Sequence, residues 1–435
     1  MNIKNLCSLC FIALLQLTFT HAQVDNLSNL SPDWIRSAAR NAATDGTDAV
    51  VYNPAGASKL SEGFHFSAGN QFLFRKPGHE YDLGMGMGKQ TFSQDGSDAF
   101  LPNLYMSYNK GNWAYMGGIY VSGGGATANF PKGSITTDMI GMMALYEAQG
   151  AYTMTSNPNF NASSYYITYM AGASYKASEK VSVGANFKVL SGINKINAGM
   201  TLTASPFDLP DMPLNYETED KSTGMGATIG MYFSPTEKTG FSARYETMVP
   251  MEFKTEVIKD DMNLTTDGEK YNRDLPAVLA IGIKHSFTEK FTTLVDFNYY
   301  MQTGADWGKT MTMTGEESTS DLAGNAATYA LAFEYKANDK ILFSLGSVYT
   351  NFAWEDMDAY YTNPGAFETV PANNLSLNTG LKYNLSEKFA VNAGLATTVW
   401  SDDTTVKGLN FYPADVDVKV SNKITAVALG IDLNL

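Results

Sequence analysis

The sequence predicts an all-β fold, a 14-stranded antiparallel transmembrane β-barrel, and three observations carry that prediction. Apolar and polar residues alternate with period two through segment after segment: Ile167, Tyr169, Ala171, Ala173 and Tyr175 alternate with Thr168, Met170, Gly172 and Ser174. Such alternation belongs to strands with one face in lipid and the other in a lumen. The connections between these segments are short and long in strict turn. Beyond the N-terminal leader no run of about 18 apolar residues remains, so the sequence offers no membrane-spanning helix.

The chain opens with "MNIKNLCSLCFIALLQLTFTHAQ", in which Lys4 precedes an apolar centre from Leu6 to Leu17 and a small Ala22. This reads as a secretory signal peptide over 1–22, cut after Ala22. Both cysteines, Cys7 and Cys10, lie inside it, leaving the exported chain without disulfides or thiol chemistry. The composition is rich in Tyr (25), Phe (24) and Gly (38), with 17% charged residues and a net charge of −14. That charge argues against nucleic acid as a partner.

Five turns repeat one design: "YKASEKVSVG", "FSPTEKTGFS", "HSFTEKFTTL", "YKANDKILFS" and "YNLSEKFAVN". Their acidic residues, Glu179, Glu237, Glu289, Asp339 and Glu387, recur every 58, 52, 50 and 48 residues, the length of two strands, one tight turn and one long loop. A sixth turn, "YNKGNWAY", does the same job with other residues. Strands are expected at 63–74, 101–109, 113–122, 165–176, 180–192, 222–234, 239–248, 274–286, 290–302, 325–336, 340–352, 373–384, 388–400 and 422–435. Short turns belong in the periplasm and long loops outside. A propeller would show four short strands per repeat and even loops, which this chain does not.

Residues 23–61 precede the wall (62–435) and have the size of a lumenal hatch, since a fourteen-strand lumen is wide enough to leak if empty. Within them "ARNAATDGTDAVVYNPAG" ends in a rigid corner, Asn53, Pro54, Ala55 and Gly56, directly before the first strand. With the strand count, this stretch resembles the long-chain fatty-acid transporters of the outer membrane, the FadL and TodX type. The resemblance implies a hatch anchored by the corner, a hydrophobic substrate captured by extracellular loops, and sideways release through a gap near the third strand. That strand contains Gly117, Gly118, Gly123 and Gly124; glycines inside a strand mark a bulge or bend, or else Gly123 to Gly125 begin the next loop.

Loop 126–164 places Met139, Ile140, Met143 and Tyr146 on one helical face, an adaptable apolar surface for ligand capture. Loop 193–221 adds a second apolar stretch, "MTLTASPFDLPDMPLNY". By strand parity the lumen holds Lys188, Arg244, Glu246, Lys284, Asp296, Glu334 and Lys382, of which Arg244 and Lys188 are the candidates to meet a carboxylate. No cofactor is expected. Acids in "KDDMN" and "WEDMDAY" read as solvated loop residues rather than metal ligands. Nucleophile and zinc motifs are missing, and "GADWGKT" lacks phosphate-loop spacing, so an enzyme is not expected. The expected partners are a hydrophobic small molecule, outer-membrane lipid and the barrel-assembly machinery, the chain acting as a monomer. An aqueous porin or structural barrel is the alternative, as is another hydrophobic ligand such as an aromatic hydrocarbon or haem. The chain ends in Leu435 rather than the terminal aromatic common in such barrels.

Overall fold

The computed structural model describes residues 26–82, 88–94, 96–204, 209–312, 315–361, 373–400, 404–410 and 415–435. The expected leader at 1–22 lies outside the described residues. Fourteen strands form the wall: β1 (Gly63–Arg75), β2 (Gly96–Lys110), β3 (Trp113–Phe130), β4 (Met154–Lys176), β5 (Val181–Thr203), β6 (Met212–Thr236), β7 (Thr239–Glu246), β8 (Ala277–Ser286), β9 (Phe291–Met301), β10 (Ala326–Lys336), β11 (Ile341–Phe352), β12 (Asn374–Asn384), β13 (Phe389–Trp400) and β14 (Lys423–Asn434). Each pairs antiparallel with its sequence neighbour, and β1 closes on β14 from His65 opposite Asn434 to Arg75 opposite Ile424. Closure pairs the membrane-spanning strands into one ring, as a bilayer requires, apart from the upper part of the β2–β3 seam described below.

The repeated turns have one local cause. Ser178, Thr288, Asn338 and Ser386 each accept, through the side chain, the backbone N–H of the residue that begins the next strand: Val181 (3.1 Å), Phe291 (3.0 Å), Ile341 (3.0 Å) and Phe389 (3.1 Å). A side-chain oxygen three residues ahead of the strand thus closes the turn. The outer surface follows the expected parity, with Trp113, Tyr115, Ile119, Tyr169, Phe187, Met225, Ile229, Leu345 and Leu377 exposed toward lipid.

One expectation is corrected. The stretch 193–221 is largely strand, and 126–164 is strand at both ends of a central helix, because β3 to β6 run 18, 23, 23 and 25 residues and stand above the rest of the wall. Alternation continues there while the outward residues turn polar, with Lys195 on β5 and Glu219 and Lys221 on β6, so the strands leave the bilayer without ending. Met200, Leu202 and Leu214 consequently face a buried cluster instead of water. The upper half of β6 pairs with an added strand, Glu252–Asp260, while its lower half pairs with β7.

Candidate functional site: the filled lumen and its lateral seam

Ahead of the wall, residues 26–62 fold into three short pieces: α1 (Pro32–Ser37), α2 (Ala49–Tyr52) and a 3-10 turn at Pro54–Lys59. Ser31 caps α1 by accepting from Trp34 N–H at 3.0 Å, with Pro32 in the first turn and Asp33 beside it. This segment touches every strand of the ring, which a chain segment can do only from inside it. Asn29 bonds Gln71 of β1 (2.8 Å), Leu30 accepts from Tyr105 of β2 (2.7 Å), and Leu27 N–H donates to Ser122 of β3 (2.9 Å). Ala55 accepts from Ser174 of β4 and Ser182 of β5, and Asn53 donates to Met231 of β6 (3.0 Å). Arg244 of β7, Ile281 of β8, Asp296 of β9 and Glu334 of β10 follow around the wall. Ser344 of β11 and Asn378 of β12 come next. Gly394 and Gly430 complete it on β13 and β14, where a Cβ would lie 2.8 Å from Arg36 N and from Pro32 Cγ respectively.

Charge holds the segment in place. Arg36 is fully buried, paired to Asp33 (2.9 Å) and to Glu334 (2.7 Å). Arg40 pairs with Asp45 (2.9 Å) and Asp48 (2.7 Å), and Asp48 also accepts from Ser31 (2.8 Å). Asp296 accepts the backbone N–H groups of Arg40 (2.6 Å) and Asn41 (2.8 Å). Buried ions in such number persist only when paired and hydrogen-bonded.

The Asn-Pro corner sits against β4 to β6. Asn53 uses both ends of its amide: Oδ1 accepts Ala55 N–H at 2.9 Å and caps the 3-10 turn, while Nδ2 holds the Met231 carbonyl. Pro54 lies where a Cβ on Gly184 would come within 2.6 Å of its carbonyl carbon. Gly56 packs beneath Ala43.

Among the sequence-named ligand groups, the structure brings Lys188 and Arg244 together. Both are 7% exposed and both hold Glu246, Lys188 through a short ion pair and Arg244 Nη2 at 3.2 Å. The carboxylate they grip is the chain's own. Arg244 Nη1 also donates to the carbonyls of Val51 (2.9 Å) and Tyr52 (2.7 Å) at the end of α2. The three charged side chains line a lumenal cavity of about 50 Å³ with Trp34, Tyr120 and Tyr300, which is room for a few waters.

Beside this cavity the wall is unzipped. The β2–β3 ladder runs from Lys110–Trp113 only to Asn103–Tyr120, yet β3 continues to Phe130, paired with β4 on one side and, at Ser122 and Gly123, with the lumenal residues Leu27 and Asn26 on the other. The β3–β4 register slips at Val121/Gly123 and Gly124/Ala126, so Gly123 and Gly124 are strand bulges and not the start of a loop. Gly124 has φ +64°. Gly117 and Gly118 lie lower, in regular ladder opposite Met106 and Tyr105. At the top of the ladder the buried Asn103 amide has no hydrogen-bond partner among the described residues. Residues 26–30 cross the inner side of the seam, Asn26 bridging Gly123 and Asn29 reaching Gln71.

Above the lumen the long loops pack on one another. The first and last loops build a four-stranded sheet from Gly78–Asp82, Lys89–Ser93, Thr405–Asn410 and Asp415–Ser421. Its apolar core joins Trp307, Leu322, Tyr360 and Tyr361. Helix α3 (Ile135–Glu147) lies against it, with Met139 in that core, Met143 half-buried and Tyr146 66% exposed, so the predicted face is divided between packing and solvent. Two side chains on one strand grip the first turn of α3: His79 Nε2 accepts Ile135 N–H at 2.9 Å, and Tyr81 donates to Asp138. Burial between Phe92 and Phe130 pushes the His79 imidazole down to about 3, and burial raises the Asp138 carboxyl. The loop aspartates have local tasks: Asp260 accepts from Met262 and Thr265, Asp356 from Ala359, and Asp358 from Lys407. Among the described residues no cluster of acidic, His or Cys side chains could hold a metal.

The closed ring, its apolar outer belt and its short-turn and long-loop ends define an integral outer-membrane β-barrel. No protein-family model and no curated protein matches the sequence. The fold is nonetheless that of the FadL and TodX type. A FadL homologue of Pseudomonas aeruginosa superposes with TM-score 0.69 at 12% identity, over 94% of this chain and 100% of the other. The Pseudomonas putida toluene transporter TodX gives 0.62 at 13%, over 95% and 100%. The Ralstonia pickettii toluene transporter TbuX gives 0.58 at 16%, over 93% and 98%.

Proposed function

We propose that the protein moves hydrophobic small molecules, long-chain fatty acids foremost, across the outer membrane. They are captured at the apolar outer cap, pass the lumenal segment acting as a hatch, and leave sideways between β2 and β3. The observation that carries this reading is the interruption of the β2–β3 ladder above Asn103 and Tyr120, beside a lumenal cavity. An apolar solute gains little by entering periplasmic water and much by entering the bilayer, so a sideways exit suits it. The filled lumen argues against an open aqueous pore. The toluene transporters of similar fold make a neutral hydrocarbon the second candidate, while the Lys188–Arg244 pair favours a ligand with an anionic head.

Uptake of a labelled long-chain fatty acid by cells lacking their own transporter tests the reading, with the chain intact or with Asn53 to Gly56 replaced. Uptake that requires the intact corner supports a hatch-gated transporter. Absence of uptake by both forms, each inserted as a barrel, overturns the fatty-acid assignment.

A further inference from the structure

We infer that Glu246 is a resident stand-in for the ligand's carboxylate: it occupies the Lys188–Arg244 anion site in the resting barrel, and an incoming carboxylate displaces it and thereby releases α2. The inference rests on the transport reading above and names its trigger.

Three relationships support it. The site is built for an anion, since the ammonium of one buried residue and the guanidinium of another converge on one carboxylate beside a cavity. Among the described residues Arg244 Nε is buried without a hydrogen-bond partner, so the guanidinium has donor capacity that Glu246 leaves unused. A planar guanidinium prefers a bidentate carboxylate, and Arg244 meets Glu246 through Nη2 at 3.2 Å while Nη1 is engaged by the Val51 and Tyr52 carbonyls. Glu246 is also the most movable of the three. It is the last residue of β7, and its side chain is 17% exposed against 9% for Lys188 and 8% for Arg244.

Displacement has a built-in consequence. The guanidinium nitrogen Nη1 of Arg244 holds the carbonyls of Val51 and Tyr52, the two residues that lead into Asn53 and Pro54. Turning the guanidinium to present Nε and one Nη to an incoming carboxylate takes it from those carbonyls. Two backbone acceptors at the end of α2 then lose their donor, and the hold of the corner on β5 and β6 weakens. The charge count in the pocket is preserved by the exchange, because one carboxylate leaves as another enters; a neutral hydrophobe makes no such exchange. Head-group charge, rather than tail length, therefore sets the release.

The test compares dodecanoate with 1-dodecanol on the purified full chain in nanodiscs, wild type beside Glu246→Gln, by calorimetry and by hydrogen exchange of the peptide 49–57. The expected result is that Glu246→Gln binds dodecanoate about tenfold more tightly and leaves dodecanol unchanged. Dodecanoate, and not dodecanol, should speed exchange over 49–57 in the wild type. Lys188→Met gives an independent arm, with dodecanoate weakened and dodecanol unaffected. Equal behaviour of the two ligands across these variants overturns the inference while leaving hydrophobic transport standing. Binding of neither ligand by folded wild type overturns both.

Discussion

Arg36 and Glu334 meet at 2.7 Å inside the ring, 298 residues apart in sequence, the guanidinium fully buried and the carboxylate nearly so. Removing one member of such a pair strands the other charge, at a cost of roughly 3–5 kcal/mol. Glu334→Gln should therefore loosen residues 26–62 without unfolding the wall, seen as faster proteolysis of that segment in an intact barrel. The double variant Arg36→Met with Glu334→Leu should recover much of the loss, because two apolar groups leave no unpaired ion.

The contact of Pro54 with β5 gives a second expectation. Gly184→Val sets a side chain into space that the Pro54 carbonyl carbon occupies, with the first added carbon 2.6 Å away. Overpacking of this kind costs about 1–3 kcal/mol, and here it acts on the docking of the corner. Planar-bilayer recording should show small-ion conductance that wild type lacks.

The seam supplies a third. Gly124 has φ +64°, a region that costs a β-branched residue on the order of 1–3 kcal/mol, and a Cβ there would lie 2.8 Å from the Ser164 backbone. Gly124→Val should reshape the bulge. Transport of hydrophobic ligand into the bilayer should fall several-fold while ligand binding in the lumen is retained, measured by uptake and calorimetry side by side.

Acid should loosen the outer cap. His79 is held neutral with its pKa near 3 by burial, against about 6.5 in an unfolded chain. A lowered histidine pKa contributes stability that is whole above about 6.5 and declines as pH falls toward 3. Between pH 6.5 and 5 the loss is about 2 kcal/mol. Asp138, raised by burial, titrates in the opposite sense, so the measurement belongs in an Asp138→Asn background. Tryptic cleavage at the exposed Lys132 should then rise on acidification, and His79→Gln should abolish the pH dependence.

The wall was legible because each strand repeats one physical demand. Phe291 to Tyr299 and Val427 to Leu435 alternate since lipid and lumen alternate, and the polar turns recur because four of the short hairpins close with the same side-chain oxygen. The height of β3 to β6 was not legible. Above the bilayer the outward residues become Lys195, Glu219 and Lys221, and a polar alternating strand resembles a loop in composition. In the lumen, parity placed Lys188, Arg244 and Glu246 on one face, but nothing in the sequence pairs Arg36 with Glu334. That partner is chosen by the ring's closure. The role of His79 is not legible for a related reason: its task is to accept one backbone N–H from another loop, which no spacing reveals.

The contact of residues 26–62 with all fourteen strands also orders the protein's assembly in time. The segment precedes the wall in the chain, yet its bonds to Asn378 and its packing against Gly394 and Gly430 need strands from the far end of the chain. Contacts separated by hundreds of residues carry a large loop-closure cost and form late. Docking of this segment is then a report that the last strand has arrived. A ring one hairpin short would leave Arg36 or Asp296 facing an empty place, and the unsatisfied charge would mark it as unfinished.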